Sequence, residues 1–117
     1  MTADEILNLF PKPRMVMIQT TSRCNSSCKI CPWPNVRNIL PQGDMDQSVF
    51  EKVVGECAEI GGFERAMVYL MNEPLLDPHI VKRIDAVKAA LPDAKVHILT
   101  NGVALNEELS ERLKATA

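Results

Sequence analysis

Three short apolar runs, each followed by a stretch of helical period, leave this chain few ways to fold. Met15–Gln19 is nearly continuous in apolar side chains, and Ala66–Met71 and Lys95–Leu99 repeat the theme. Pro11 and Pro13 stand before the first run as breakers. A run of that kind reads as a strand covered on both faces, which is the habit of parallel sheets.

The segments between the runs read as helices. Asp46 is placed to cap one that reaches about Ile60, with Phe50, Val53, Val54, Cys57 and Ile60 recurring at helical spacing and Gly61-Gly62 ending it. Asp77-Pro78 starts a second, striped by Ile80, Ile84, Val87 and Leu91 and stopped by Pro92. Asn106 caps a third, with Glu107 and Glu108 in the first turn where they suit the helix dipole. The order is βαβαβα. It implies an α/β fold of parallel strands joined by right-handed crossovers.

The runs begin at residues 15, 66 and 95, so the first crossover is much longer than the second. The surplus lies in a polar loop, Thr20 to Asp44, at the C-terminal end of the first strand, which is where α/β folds bind ligands. That loop holds Cys24, Cys28 and Cys31 in a C-x3-C-x2-C spacing, together with Pro32, Pro34 and Pro41. Three parallel strands cannot close a barrel, and the third leaves an unpaired edge. The chain therefore reads as residues 1–13, an N-terminal segment, followed by residues 14–117, the first part of a larger α/β barrel that is truncated or completed by something else.

Composition narrows the chemistry. A net charge of −2 over 117 residues, with dispersed lysines and arginines, argues against nucleic acid or anionic lipid as a partner. No apolar run approaches the roughly 20 residues that span a bilayer. Met1–Phe10 lacks the basic start and long apolar stretch of a signal peptide. The cysteines are accordingly expected to be cytoplasmic and reduced, a setting in which close spacing points to metal or catalysis before disulfides. A closed zinc site wants a fourth protein ligand, and neither His79 nor His97 lies near the loop in sequence. Cys57 falls on the apolar face of its helix and reads as core.

Strand, C-x3-C-x2-C loop and helix in this order resemble the radical S-adenosylmethionine (radical SAM) enzymes. The resemblance spans roughly residues 14 to 114, and the wording of its segments is most similar to the branch with an extra C-terminal cluster domain, the SPASM type. It implies a partial (β/α) TIM-like barrel in which Cys24, Cys28 and Cys31 hold a 4Fe–4S cluster and S-adenosylmethionine chelates the open iron. Thiolates are the usual ligands of such clusters. The position before the last cysteine is usually aromatic in that family and packs near the adenine; here it is Ile30, which keeps apolar contact without stacking.

Met71-Asn72-Glu73-Pro74-Leu75-Leu76 resembles the family's Gly-Gly-Glu segment, which implies contact of Glu73 with the cofactor's amino group. Met71 and Asn72 stand where that segment has glycines, and of the two only Asn tolerates left-handed backbone well. Thr100-Asn101-Gly102 follows the third strand as similar segments do near the cofactor, although Asn-Gly is also a common turn former. Trp33 either covers the cluster or pins the loop.

The activity implied is reductive cleavage of S-adenosylmethionine to methionine and a 5′-deoxyadenosyl radical that abstracts hydrogen from a substrate. An external one-electron reductant such as a flavodoxin or ferredoxin is implied with it. A non-catalytic zinc or iron–sulfur module is the alternative.

Overall fold

The computed structural model describes residues 1–9 and 12–116, so Pro11, one of the two breakers before the first strand, lies outside the described residues. In chain order the elements are α1 (Ala3–Leu9), β1 (Met15–Met17), α2 (Trp33–Val36), α3 (Gln47–Ile60), β2 (Arg65–Met67), a 3-10 turn (Pro74–Leu76), α4 (Ile80–Ala90), β3 (Lys95–His97) and α5 (Glu107–Ala115). The strands form one sheet in the order β1-β2-β3, and both pairings are parallel. This is the expected α/β architecture: three βα units of a partial (β/α) barrel.

The strands are shorter than the apolar runs. Ladder bonds continue singly past them, from Ile18 N–H to Met67 O at 2.8 Å and from Val68 N–H to His97 O at 3.1 Å. Beyond those, side chains take over the backbone donors. Leu70 N–H reaches Asn72 Oδ1 at 2.8 Å and Met71 N–H reaches Gln19 Oε1 at 3.0 Å, so the backbone leaves the sheet with its hydrogen bonds made.

The register puts Val16, Ala66 and Val96 in one row across the sheet. These residues, with Ile18 and Val68, join the side chains of α3 and α4 in one core that includes Phe50, Val54, Cys57, Ile80, Ile84 and Val87. Full burial of side chains of this size is worth about 1.5–3 kcal/mol each. On the opposite face Met15 is 48% exposed and Met17 41%. The first run is therefore not covered on both faces, contrary to its sequence pattern. An unbroken apolar run is also what lines the inside of a barrel, and periodicity does not distinguish that wall from a helix-covered one.

The helices begin much as expected. α3 follows Asp46, although the Asp46 carboxylate makes no capping bond, and Gly61, at φ +64°, ends it. Ile60 proves exposed, one position outside the buried stripe. Asp77 Oδ1 accepts from His79 N–H at 2.8 Å, so the Asp-Pro pair makes a turn first and α4 starts only at Ile80. Ile80, Ile84, Val87 and Leu91 are all buried. Asn106 Oδ1 caps α5 through Leu109 N–H at 2.8 Å.

Candidate cofactor site at the strand ends

The three loops that follow β1, β2 and β3 leave the same end of a parallel sheet, and their side chains meet there. The first carries the cysteines. Cys24 and Cys31 are half-buried, Cys28 is exposed, and none is in a disulfide. Cys31 N–H donates to Cys28 O at 3.1 Å, a tight turn that brings the second and third cysteines back toward each other. Among the described residues no three His, Cys, Asp or Glu side chains are gathered into a metal cage. The cysteines thus share a loop without converging on a point. Ligand groups of this kind are ordinarily drawn together by the metal's own bonds.

The neck of this loop is built more firmly. Thr21 and Asp44 form an antiparallel bridge, Ser22 N–H donates to Gly43 O at 2.9 Å, and Met45 N–H donates to Thr20 O at 2.8 Å. Arg23 Nη2 lies 2.7 Å from both oxygens of Asp44 and 3.1 Å from Leu76 O, joining the first loop to the second. Burial pushes the Asp44 carboxyl up, but hydrogen bonds from Thr21 and Arg23 and the charges of Arg23 and Arg83 outweigh it and hold it below its ordinary value.

Beneath the neck sits Arg83 of α4, only 1% exposed. Its guanidinium pairs with the buried Asp77 at 3.0 Å, donates to Thr20 O at 3.0 Å and to Met45 O, and lies 5.1 Å from the centre of the Phe50 ring. One side chain therefore holds both ends of the cysteine loop. Nothing in local spacing announces this role. The available signal is a charge set between Ile80, Ile84 and Val87 on the apolar side of a helix, which needs a buried partner.

Of the other candidates, the structure brings Asn72, Glu73 and Asn101 to one rim. Glu73 is 2% exposed and its N–H donates to Arg23 O at 2.9 Å. Its carboxylate accepts from Leu75 N–H, from the Thr100 hydroxyl and from Asn101 N–H. Asn101 Nδ2 donates to Asn25 Oδ1 at 2.7 Å and to Ser26 Oγ at 2.8 Å, inside the cysteine motif. Asn72 is half-buried, with its Oδ1 used by Leu70 and its Nδ2 without an acceptor. Ile30 stands apart from this rim, 98% exposed on the outer part of the cysteine loop.

Trp33 is buried at the start of α2, and its Nε1 has no acceptor among the described residues. Burial makes it a pin for the loop that carries Cys31. Cys57 lies in the core as expected, its thiol pushed up by burial and by the charge of Glu56, and so kept neutral.

The donor set suits an iron–sulfur group: three free thiols, soft ligands, with a buried N–H donor left unpaired on the same loop. Fold and site together define an α/β barrel segment with three cysteines in its first loop. A sequence model of the Radical SAM superfamily matches residues 18–117, and the chain belongs to that family. It is 28% identical over 105 residues to a protein of Pyrococcus furiosus, the tungsten-containing aldehyde ferredoxin oxidoreductase cofactor-modifying protein; the match covers 86% of this chain and 27% of that one. In fold it is similar to a crystal structure of BtrN in complex with AdoMet and 2-DOIA, with a TM-score of 0.75 and 22% identity over 89% of this chain and 42% of BtrN. A selenomethionine BtrN structure in an open conformation gives a TM-score of 0.74 and 24% identity, again over 89% of this chain and 46% of the other. The chain thus spans about a quarter of the curated relative and under half of BtrN. No helix among the described residues is long and apolar enough to cross a membrane.

Proposed function

We propose that Cys24, Cys28 and Cys31 are the protein ligands of a 4Fe–4S cluster and that Asn72, Glu73 and Asn101 border the S-adenosylmethionine beside it. The observation that carries this reading is where the three free thiols stand. Their loop leaves the C-terminal end of a parallel strand and is tied to the loops after both other strands. Three thiolates leave one iron of a cube without a protein ligand, whereas a structural zinc site closes with four. Held by Cys24, Cys28 and Cys31 and reduced by an external donor, such a cluster would supply the one electron needed for reductive cleavage of S-adenosylmethionine to methionine and a hydrogen-abstracting 5′-deoxyadenosyl radical.

The chain's own part is to bind, orient and shield. Arg83 and Arg23 fix the neck, so only the outer part of the loop adjusts to its ligand. Asn72 Nδ2 is an unused donor on the rim. Ile30 offers exposed aliphatic surface for a purine face to cover. The partners are a substrate bearing the abstracted hydrogen and an external one-electron donor of the flavodoxin or ferredoxin kind.

The test is anaerobic reconstitution, with iron and sulfide analysis and electron paramagnetic resonance of the reduced protein with and without S-adenosylmethionine. Near-stoichiometric iron and sulfide and a cofactor-dependent change of the spectrum are expected, and Cys28→Ala should abolish both. Zinc without sulfide would identify a structural metal module instead. A cluster signal indifferent to S-adenosylmethionine would leave electron transfer or structure as its role.

A further inference from the structure

A carboxylate that binds a ligand's ammonium group needs free lone pairs facing the ligand, and Glu73 has committed three of its roughly four acceptor sites to the protein. Its Oε1 accepts from Leu75 N–H at 3.1 Å and from the Thr100 hydroxyl, and its Oε2 accepts from Asn101 N–H at 2.8 Å. The residue is 2% exposed, so the remaining site on Oε2 is largely closed to an incoming cation. The bonds run onward. Asn101 Oδ1 accepts from Val103 N–H at 3.0 Å, which fixes the orientation of the amide, because a backbone N–H must meet oxygen and not nitrogen. That orientation turns Nδ2 to Asn25 Oδ1 and Ser26 Oγ, between Cys24 and Cys28.

We infer that Glu73 is a positioning residue: its carboxylate holds Asn101, and Asn101 holds the Asn25–Ser26 segment, so that three βα loops are locked into one rim before any cofactor arrives. The carboxylate of Glu73 acts on the Leu75 and Asn101 amides and the Thr100 hydroxyl. Its effect on the cluster loop passes through Asn101. That this segment shapes a cluster site rests on the function proposed above; the lock itself exists in the cofactor-free chain and is tested there.

Hydrogen exchange of the cofactor-free full chain reads the lock directly. Glu73→Gln keeps one acceptor oxygen and turns an NH2 toward Asn101 N–H. Exchange of the Asn101 amide should then quicken by about tenfold, the size expected for one lost charge-assisted hydrogen bond, while the Val68 and Val87 amides of the core keep their rates. Asn101→Ala keeps its backbone N–H on Glu73 but releases Asn25 and Ser26. Its own amide should stay protected, while alkylation of Cys24 by iodoacetamide should accelerate several-fold, roughly as one or two lost bonds of this kind imply.

Unchanged Asn101 exchange in Glu73→Gln with a native core overturns the inference. So does a Cys24 alkylation rate indifferent to Asn101, which stands as the arbiter should Glu73→Gln fail to fold. In reconstituted protein, loss of S-adenosylmethionine affinity in Glu73→Gln without any change in the apo exchange would make Glu73 a ligand instead. Failure to take up a cluster would sink the proposed function and leave the exchange and alkylation results standing.

Discussion

The neck and the outer part of the cysteine loop belong to one stretch of chain yet are built in opposite ways. At the neck, Thr20 and Thr21 are buried, backbone bonds pair the two strands of chain, and Arg83 holds both carbonyl ends from beneath. Farther out, Cys28, Lys29 and Ile30 stand in solvent, and the turn from Cys31 N–H to Cys28 O is a local one. The contrast separates two tasks. Fixed ends set where the thiols are presented, and under the proposed function the exposed turn at Cys28 would leave room to close around a polynuclear group whose bonds supply the final geometry.

The sharpest way to break this comparison is Arg83→Met. It strands the buried Asp77 carboxylate and two carbonyls, and should cost about 3–5 kcal/mol of folding stability by urea denaturation. A midpoint near that of the unaltered protein would mean that the neck is not anchored there. Asp44→Asn should cost much less, about 0–1 kcal/mol, because its pair with Arg23 is partly exposed. Its clearest readout is faster exchange of the Ser22 and Met45 amides at the bridge.

Acid should act in the same place. The Asp44 pKa is lowered on folding, so its contribution is present above the unfolded value of 3.8 and is lost as pH falls through the lower folded value. Bridge amides should therefore lose protection below about pH 4 before the core does, and in the Asp44→Asn variant that local acid step should vanish. Ile30→Ser defines the quiet end of the series. At 98% exposure its effect on stability should stay within about 0.5 kcal/mol, while its cost falls on S-adenosylmethionine affinity in reconstituted protein.

What local pattern encodes, the chain displayed openly. Asn106 caps through a side chain three residues from its target, Gly61 ends α3 with a positive φ, and Ile80, Ile84, Val87 and Leu91 line one buried stripe. The cysteine spacing points to the family, and the parallel order follows from the alternation of apolar runs with helical segments. α1 lies in the stretch that reads only as an N-terminal segment, although Thr2 and Glu5 exchange reciprocal bonds, a capping box visible in the sequence. α2 was hidden among prolines, which the first turn of a helix tolerates.

The wiring of the rim was out of reach for a different reason. Asn101 meets Ser26 from 75 positions away and Arg83 meets Thr20 from 63, and partners so distant impose no period on the sequence between them. Glu73 shows the same limit from the other side. Resemblance singles out the residue, whereas its hydrogen-bond partners depend on where the loop after β3 comes to rest.

Holding Thr20 and Met45 with one guanidinium also bears on how such a loop can change over generations. Once the ends are pinned, the entropy of the intervening chain depends only on the logarithm of its length, and doubling it costs about 0.6 kcal/mol. Between the points tied down at Arg23, Asn25, Ser26 and Trp33, residues can be inserted or removed with little effect on the sheet below. The Arg83 anchor therefore makes the outer cysteine loop a stretch whose length can drift while the sheet that carries it stays the same.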